Sequence, residues 1–318
     1  MLGVRDAGTF EHGSSTLQRQ VEPGTLEDLA RLDDVRRRLF EAREQRVRPA
    51  RDDKVVAAWN GLAIAGLCDA GLRLGEQEYV DAAAAAGALL VDLHMTGSGL
   101  LRVSRDGIAG RHAGVLEDHG CVASGFLALV QATGDAVWLE RATLVIDDAL
   151  DRFRAEDGGF FDTASDAEAL VARPRDPSDN ASPSGLSSMV HALVEAHALT
   201  GEGRYRQAAE EALATVAALA EKAPRFAGWS LAAAQTMSNG PLEVAVVGPA
   251  GPDRDALAGV ARQQPGAVVV VADGPRDDIP LLSGRTPVED RAAAYVCRSQ
   301  VCERPVTDVD ALEAALSR

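Results

Sequence analysis

The sequence is short of positive charge: 32 Lys and Arg against 48 Asp and Glu leave a formal net charge of −16 over 318 residues. Such a chain repels phosphate backbones and anionic lipid, which excludes nucleic acid and membrane surfaces as partners. Long apolar runs are also missing. None approaches the roughly 18 residues that span a bilayer. The opening stretch to Glu11 has neither the basic start nor the apolar centre of a signal peptide. Four cysteines, Cys68, Cys121, Cys297 and Cys302, are too few for a disulfide framework and agree with a reducing compartment. The expectation is a soluble, cytoplasmic protein. Phosphate loops of the G-x-x-x-x-G-K-S/T and G-x-G-x-x-G kinds are absent, and so are H-E-x-x-H and a regular calcium loop, so neither a cofactor nor a metal is expected. Cys297 and Cys302 lack the two-residue gap of a redox dithiol.

What the chain does contain is a repeat. Three apolar helices each follow a polar, acid-rich lead-in: Arg51-Asp52-Asp53-Lys54, Leu116-Glu117-Asp118-His119, and Asp179-Asn180-Ala181-Ser182-Pro183-Ser184. Asp53, Asp118 and Pro183 are spaced 65 residues apart. Each helix ends in glycine, an acid, and an aromatic four residues past the glycine, around Gly75, Gly134 and Gly201. The glycine supplies a left-handed residue past the helix end, and the acid is placed to cap the next helix. Second helices follow over roughly 78–94, 137–153 and 204–222, with short extended stretches at 97–104 and 158–164, and Gly228 begins a further turn of the pattern. Repeated helical hairpins predict a mainly α protein, an (α/α) toroid that is incomplete.

After Asn239-Gly240-Pro241 the composition changes. Leu242 to Pro249 and Ala267 to Asp273 are β-branched runs with a helical stretch between them, which reads as β-α-β and a small parallel sheet. Tyr295 to Cys297 reads as a third strand and Asp308 to Leu316 as a closing helix. The expected organisation is a polar segment and charged helix over 1–50 belonging to the toroid, hairpins over 51–240, and an α/β subdomain over 241–318.

Candidate chemistry sits in the lead-ins, which would converge on one rim. Asp at a helix start is a common cap, but the doubled acids Asp52-Asp53 and Glu117-Asp118 exceed what capping requires. Carboxylates sharing a cleft can act as acid and base on a sugar. Asp53, Glu117 and Asp118 are therefore the candidate catalytic residues, with Asp52, Trp59, Asn60, His119, Asp179, Asn180 and Ser184 as substrate-binding candidates. Trp59 can stack on a sugar face and Asn60 can bond hydroxyls, or the two can be a core Trp and a satisfied Asn. The polar excursion 158–179, with Asp162 and Asp166, reads as a solvated loop.

The run Asp52-Asp53-Lys54-Val55-Val56-Ala57-Ala58-Trp59-Asn60-Gly61-Leu62 resembles the signature of YyaL-like, spermatogenesis-associated thioredoxin-domain proteins. Phe10-Glu11-His12-Gly13, Leu39 to Arg43, Leu116-Glu117-Asp118, Gly158-Gly159-Phe160-Phe161, Ser182-Pro183-Ser184-Gly185 and Tyr295-Val296-Cys297 with Cys302 follow in family order. The resemblance implies a six-hairpin glycosidase-like toroid, similar also to N-acylglucosamine 2-epimerases, followed by a small α/β end. The family's thioredoxin-like domain and first hairpins would lie outside this chain. His119, Cys121, Asn180 and Leu186 depart from the family pattern. Two functions compete: a carbohydrate-active or sugar-binding rim, and a noncatalytic or inactive fragment whose open toroid edge engages a thioredoxin-like partner or a second copy.

Overall fold

The structure, a computed structural model, describes residues 2–317 and divides into two compact units, Met1–Asp52 and Asp53–Arg318. The first unit carries one α-helix, α1 (Leu26–Glu44), opened by Thr25, whose hydroxyl accepts from the Asp28 N–H at 3.1 Å. Only Leu32 is buried on it, and Arg37 pairs with Glu41 at 3.0 Å and with Asp34 along its charged face. Pairs of this kind each contribute a few tenths of a kcal/mol, so α1 has little beyond local bonding to hold it.

The second unit begins with β1 (Val55–Val56) and α2 (Ala57–Leu74), then α3 (Gln77–Leu89), extended by a π turn over Leu90–His94. Two hairpin-like strand pairs follow: β2 (Met95–Thr96) with β3 (Gly99–Leu100), and β4 (Val103–Arg105) with β5 (Ile108–Ala109). The helical pattern resumes with α4 (Leu116–Thr133), α5 (Ala136–Arg152), α6 (Gly185–Thr200), α7 (Gly203–Lys222) and α8 (Gly228–Asn239). Helices α2, α4, α6 and α8 pack side by side in that order, while α3, α5 and α7 pack against them as the outer members of each hairpin. This is the arc of an incomplete (α/α) toroid, as the repeat predicts.

The punctuation glycines behave as expected. Gly75, Gly134 and Gly201 take φ of 72°, 67° and 74°, ending α2, α4 and α6. Of the acids that follow, only Asp135 caps, accepting from the Val137 N–H at 3.0 Å; Glu76 and Glu202 make no side-chain cap bond. A Glu side chain is one methylene longer than the geometry favoured at a cap, which explains the difference. Inner helices approach closely where they lack side chains. A Cβ on Gly61 of α2 would lie 2.3 Å from the Cys121 carbonyl oxygen of α4, and one on Gly120 of α4 would lie 2.5 Å from the Met189 nitrogen of α6. The stretch 158–164 forms no strand, contributing only an isolated bridge from Phe160 to Arg154.

The C-terminal part holds a sheet in the order β7-β6-β8-β9, made of β6 (Leu242–Val247), β7 (Val268–Ala272), β8 (Ala293–Arg298) and β9 (Val301–Cys302), with α9 (Pro252–Arg262) and α10 (Val309–Leu316). β6 and β7 are parallel, joined through α9 as predicted. β8 runs antiparallel to β6, so the sheet is mixed rather than parallel. The connection over 273–292, with no long helix to carry the chain back along the sheet, brings β8 in from the opposite end. Cys297 and Cys302 are opposed across the β8–β9 hairpin and form a disulfide, one more than the composition led us to expect. The sheet packs against the C-terminal ends of the inner helices: Gln131 of α4 accepts from the Val269 N–H at 3.1 Å, and Gln300 donates to the His197 and Ala198 carbonyls of α6. One continuous core joins Ile64, Phe126, Leu129, Ile146 and Leu193 of the helices to Val247 and Val270 of the sheet. The N-terminal ends of α2, α4 and α6 lie about 25 Å away, at the helical rise of 1.5 Å per residue, and are left uncovered by the sheet. No helix among the described residues is long and apolar enough to cross a membrane.

Candidate functional site

The lead-ins do converge, and two buried aspartates are what hold them together. Asp118, fully buried in the first turn of α4, accepts from the Ala58 N–H of α2 at 3.1 Å through Oδ1. Its Oδ2 accepts from the Val115 N–H at 2.9 Å and from Arg102 Nη1 at 2.7 Å. Asp179 repeats this arrangement one hairpin later. Its Oδ1 accepts from the Ser184 N–H at 3.0 Å and the Ser187 hydroxyl at 2.6 Å, and its Oδ2 from the Trp229 N–H of α8 at 2.9 Å. Each carboxylate thus satisfies otherwise unpaired N–H groups of two neighbouring helices at once, where the helix dipole also favours negative charge. Ser184 caps α6, accepting from the Ser187 N–H at 3.1 Å.

Glu117 stands next to Asp118 and is placed quite differently. It is half-buried, with Oε1 3.4 Å from the Ser182 hydroxyl and Oε2 3.6 Å from Arg102 Nη2. Both distances exceed those at Asp118 and Asp179, so its carboxylate is only loosely held. Arg102 therefore faces two carboxylates, gripping the buried one and leaving the outer one near.

The other predicted residues divide between rim and interior. Trp59, in the first turn of α2, is 63% exposed and follows the Ala58 that bonds to Asp118. Asn60 turns back on its own helix, donating to the Val56 carbonyl at 2.8 Å. Asn180 is exposed beside Asp179, and Asp53 lies 3.6 Å from Arg105. Asp52 belongs to the first unit. His119 is buried on the far side of α4, between the Val115 carbonyl at 2.9 Å and Asp148 Oδ2 at 2.8 Å. Burial pushes the Asp148 carboxyl up, but its bonds to His119 and Arg152 outweigh that and hold it below the usual carboxylate range. His119 thus reaches the wall of an outer cavity of about 380 Å³ rather than the rim.

Trp229 is the rim residue that the sequence reading passed over. It opens α8, is 45% exposed, and accepts from His191 Nε2 through its carbonyl at 2.9 Å. A signal was available, since Gly228-Trp229 starts the fourth inner helix as Trp59 starts the first. Burial lowers the His191 imidazole from its ordinary value, against the opposing pull of the Trp229 carbonyl and the Asp179 charge. Among the described residues no group of three or more His, Cys, Asp or Glu side chains is arranged to hold a metal ion.

No model of a known protein family matches the chain. Human spermatogenesis-associated protein 20 is 31% identical to it over 296 residues, and the mouse protein of that name 30% over 299. Each match covers 85% of this chain and 37% of the relative, so the chain spans just over a third of the length of these relatives. Solved structures similar to it include cellobiose 2-epimerase from Spirochaeta thermophila, with TM-score 0.44, 19% identity, and coverage of 53% of this chain and 44% of that one. The unsaturated glucuronyl hydrolase of a Bacillus species gives TM-score 0.44 and 19% identity over 54% of this chain and 49% of that one. The chain is thus similar over 85% of its own length to spermatogenesis-associated protein 20, the resemblance that the motifs around Trp59 implied.

Proposed function

We propose that the rim at the N-terminal ends of α2, α4, α6 and α8 binds a sugar-like polyol, with Glu117 as its working carboxylate. The observation that carries this reading is the contrast between adjacent acids: Asp118 is buried under three donors, while Glu117 is half-buried and loosely held at 3.4 and 3.6 Å. A carboxylate in that state can accept from sugar hydroxyls, and beside a reacting carbon it can take or return a proton. Trp59 supplies an exposed aromatic face for the apolar side of a pyranose, and Asn180 and Ser182 supply further polar groups. Asp118 and Asp179 act as positioning residues, and Asp53 as a second acid at the lead-in of α2. This is the sugar-active alternative that the family resemblance implied.

The test is a thermal-shift screen of the chain against monosaccharides, N-acyl sugars and short oligosaccharides. Saturable stabilisation by one class, lost in Glu117→Gln and Trp59→Ala, supports the reading and directs assays of epimerisation and hydrolysis. A folded protein that no sugar stabilises would overturn it. That result would favour the second reading, a noncatalytic module that docks a partner or a second copy, for which the observation is the exposure of Trp229 and Leu231 on α8.

A further inference from the structure

A cavity of about 480 Å³ lies away from the rim, between α6, α8 and the C-terminal α/β part. Its volume falls within the range of small-molecule sites, roughly 300–1,000 Å³. Two of its lining side chains carry opposite charges, Glu195 of α6 and Arg298 at the end of β8, and both are half-buried. Among the described residues neither forms an ion pair, neither makes a side-chain hydrogen bond, and they do not pair with each other. At the rim, by contrast, the half-buried Glu117 carboxylate has such partners in Ser182 and Arg102. A half-buried charge without a partner is costly, and two of opposite sign in one cavity are complementary to a ligand that brings both counter-charges. Burial alone pushes the Glu195 carboxyl up to about 7, which shows how little the protein itself does to stabilise its ionised form. The remaining wall is neutral, with Gln235, Thr236 and Asn239 able to bond either end of a guest.

We propose that this cavity is a binding site for a small zwitterion, with its ammonium group at Glu195 and its carboxylate at Arg298. The guanidinium offers paired donors matched to a carboxylate, and the Glu195 carboxylate accepts from an ammonium group. Because Glu195 and Arg298 line one cavity without forming an ion pair, a guest that reaches from one to the other satisfies both, and an ω-amino acid series varies that reach.

The experiment is calorimetric titration of the full chain with glycine, 4-aminobutanoate and 6-aminohexanoate, with butylamine and butanoate as single-charge controls. The expected result is saturable binding of at least one spaced ω-amino acid, tighter than glycine and tighter than either control by tenfold or more. Glu195→Gln and Arg298→Gln, near-isosteric changes, should each weaken it at least tenfold, with unfolding midpoints recorded alongside to show that both variants are folded. Absence of saturable binding across the series would overturn the proposal, and so would binding that both folded variants retain. The site shares no residue with Glu117 or Trp59, so its failure leaves the rim reading standing, and the reverse holds.

Discussion

Replacing Asp118 with Asn keeps the shape of the side chain and removes its charge, and the structure gives the cost. Both carboxylate oxygens are acceptors, Oδ1 for one backbone N–H and Oδ2 for another together with Arg102. An Asn amide can accept at only one position, so its NH2 must face a donor at the other. That leaves a buried backbone N–H unpaired, worth about 1–3 kcal/mol, and weakens the charge-assisted bond from Arg102, worth about 1.5–3 kcal/mol. The sum is about 2.5–6 kcal/mol, which brackets the roughly 3–5 kcal/mol seen when one partner of a buried ion pair is removed. With a urea m-value of about 3 kcal/mol/M, the unfolding midpoint should fall by about 1–2 M. Glu117→Gln, one residue away but loosely held, should change stability by no more than about 0.5 kcal/mol. Urea unfolding followed by circular dichroism measures both. An Asp118→Asn midpoint within experimental error of the wild type would refute the view that this carboxylate clamps α2 to α4.

Glu243, buried in β6 with Oε1 unpartnered, has its carboxyl raised by burial from 4.5 to about 7. The folded state therefore keeps a proton that the unfolded chain releases. Stability should fall by up to about 3 kcal/mol as pH rises through roughly 4.5 to 7, and Glu243→Gln should flatten that slope in urea midpoints taken at pH 5 and pH 8. Gly61→Ala would force a Cβ to within 2.3 Å of the Cys121 carbonyl, so the variant should lose 2 kcal/mol or more, to the order of ~3, by separating α2 from α4; a wild-type melting temperature would contradict the close approach. Reducing the Cys297–Cys302 disulfide frees a short hairpin loop and should cost about 2 kcal/mol, read as the midpoint difference with and without reductant, and absent in Cys297→Ser.

Much of the helical part was legible because its punctuation is local. Gly75, Gly134 and Gly201 mark helix ends by a backbone conformation that other residues resist, and all three take it. The convergence of the lead-ins was legible for the same reason, since a repeat places like residues in like positions. The division of labour within Glu117-Asp118 was not. Neighbours on a helix point about 100° apart, so which one turns into the interface depends on the position of Arg102 and α2, both long-range facts. His119 illustrates the same limit: the next residue along turns about a further 100° round α4, toward Asp148. The antiparallel direction of β8 depends on how 273–292 crosses the sheet, and no residue in that stretch encodes it alone. Glu195 is a single acid in the apolar helix α6, and only the packing of the C-terminal part across α6 and α8 makes it a cavity wall.

The most direct test of the rim is a fluorescence titration of Trp59. At 63% exposure its indole emits from a wet environment, and a sugar ring stacked on it would exclude that water. With the sugar class identified by thermal shift, wild-type protein should show a saturable blue shift with the same midpoint as the stabilisation. Trp59→Phe should lack the spectral change, and Glu117→Gln should need more sugar to reach it. A blue shift that persists undiminished in Trp59→Phe would contradict stacking on Trp59, and no spectral change at saturating sugar would contradict a ligand seated on this rim.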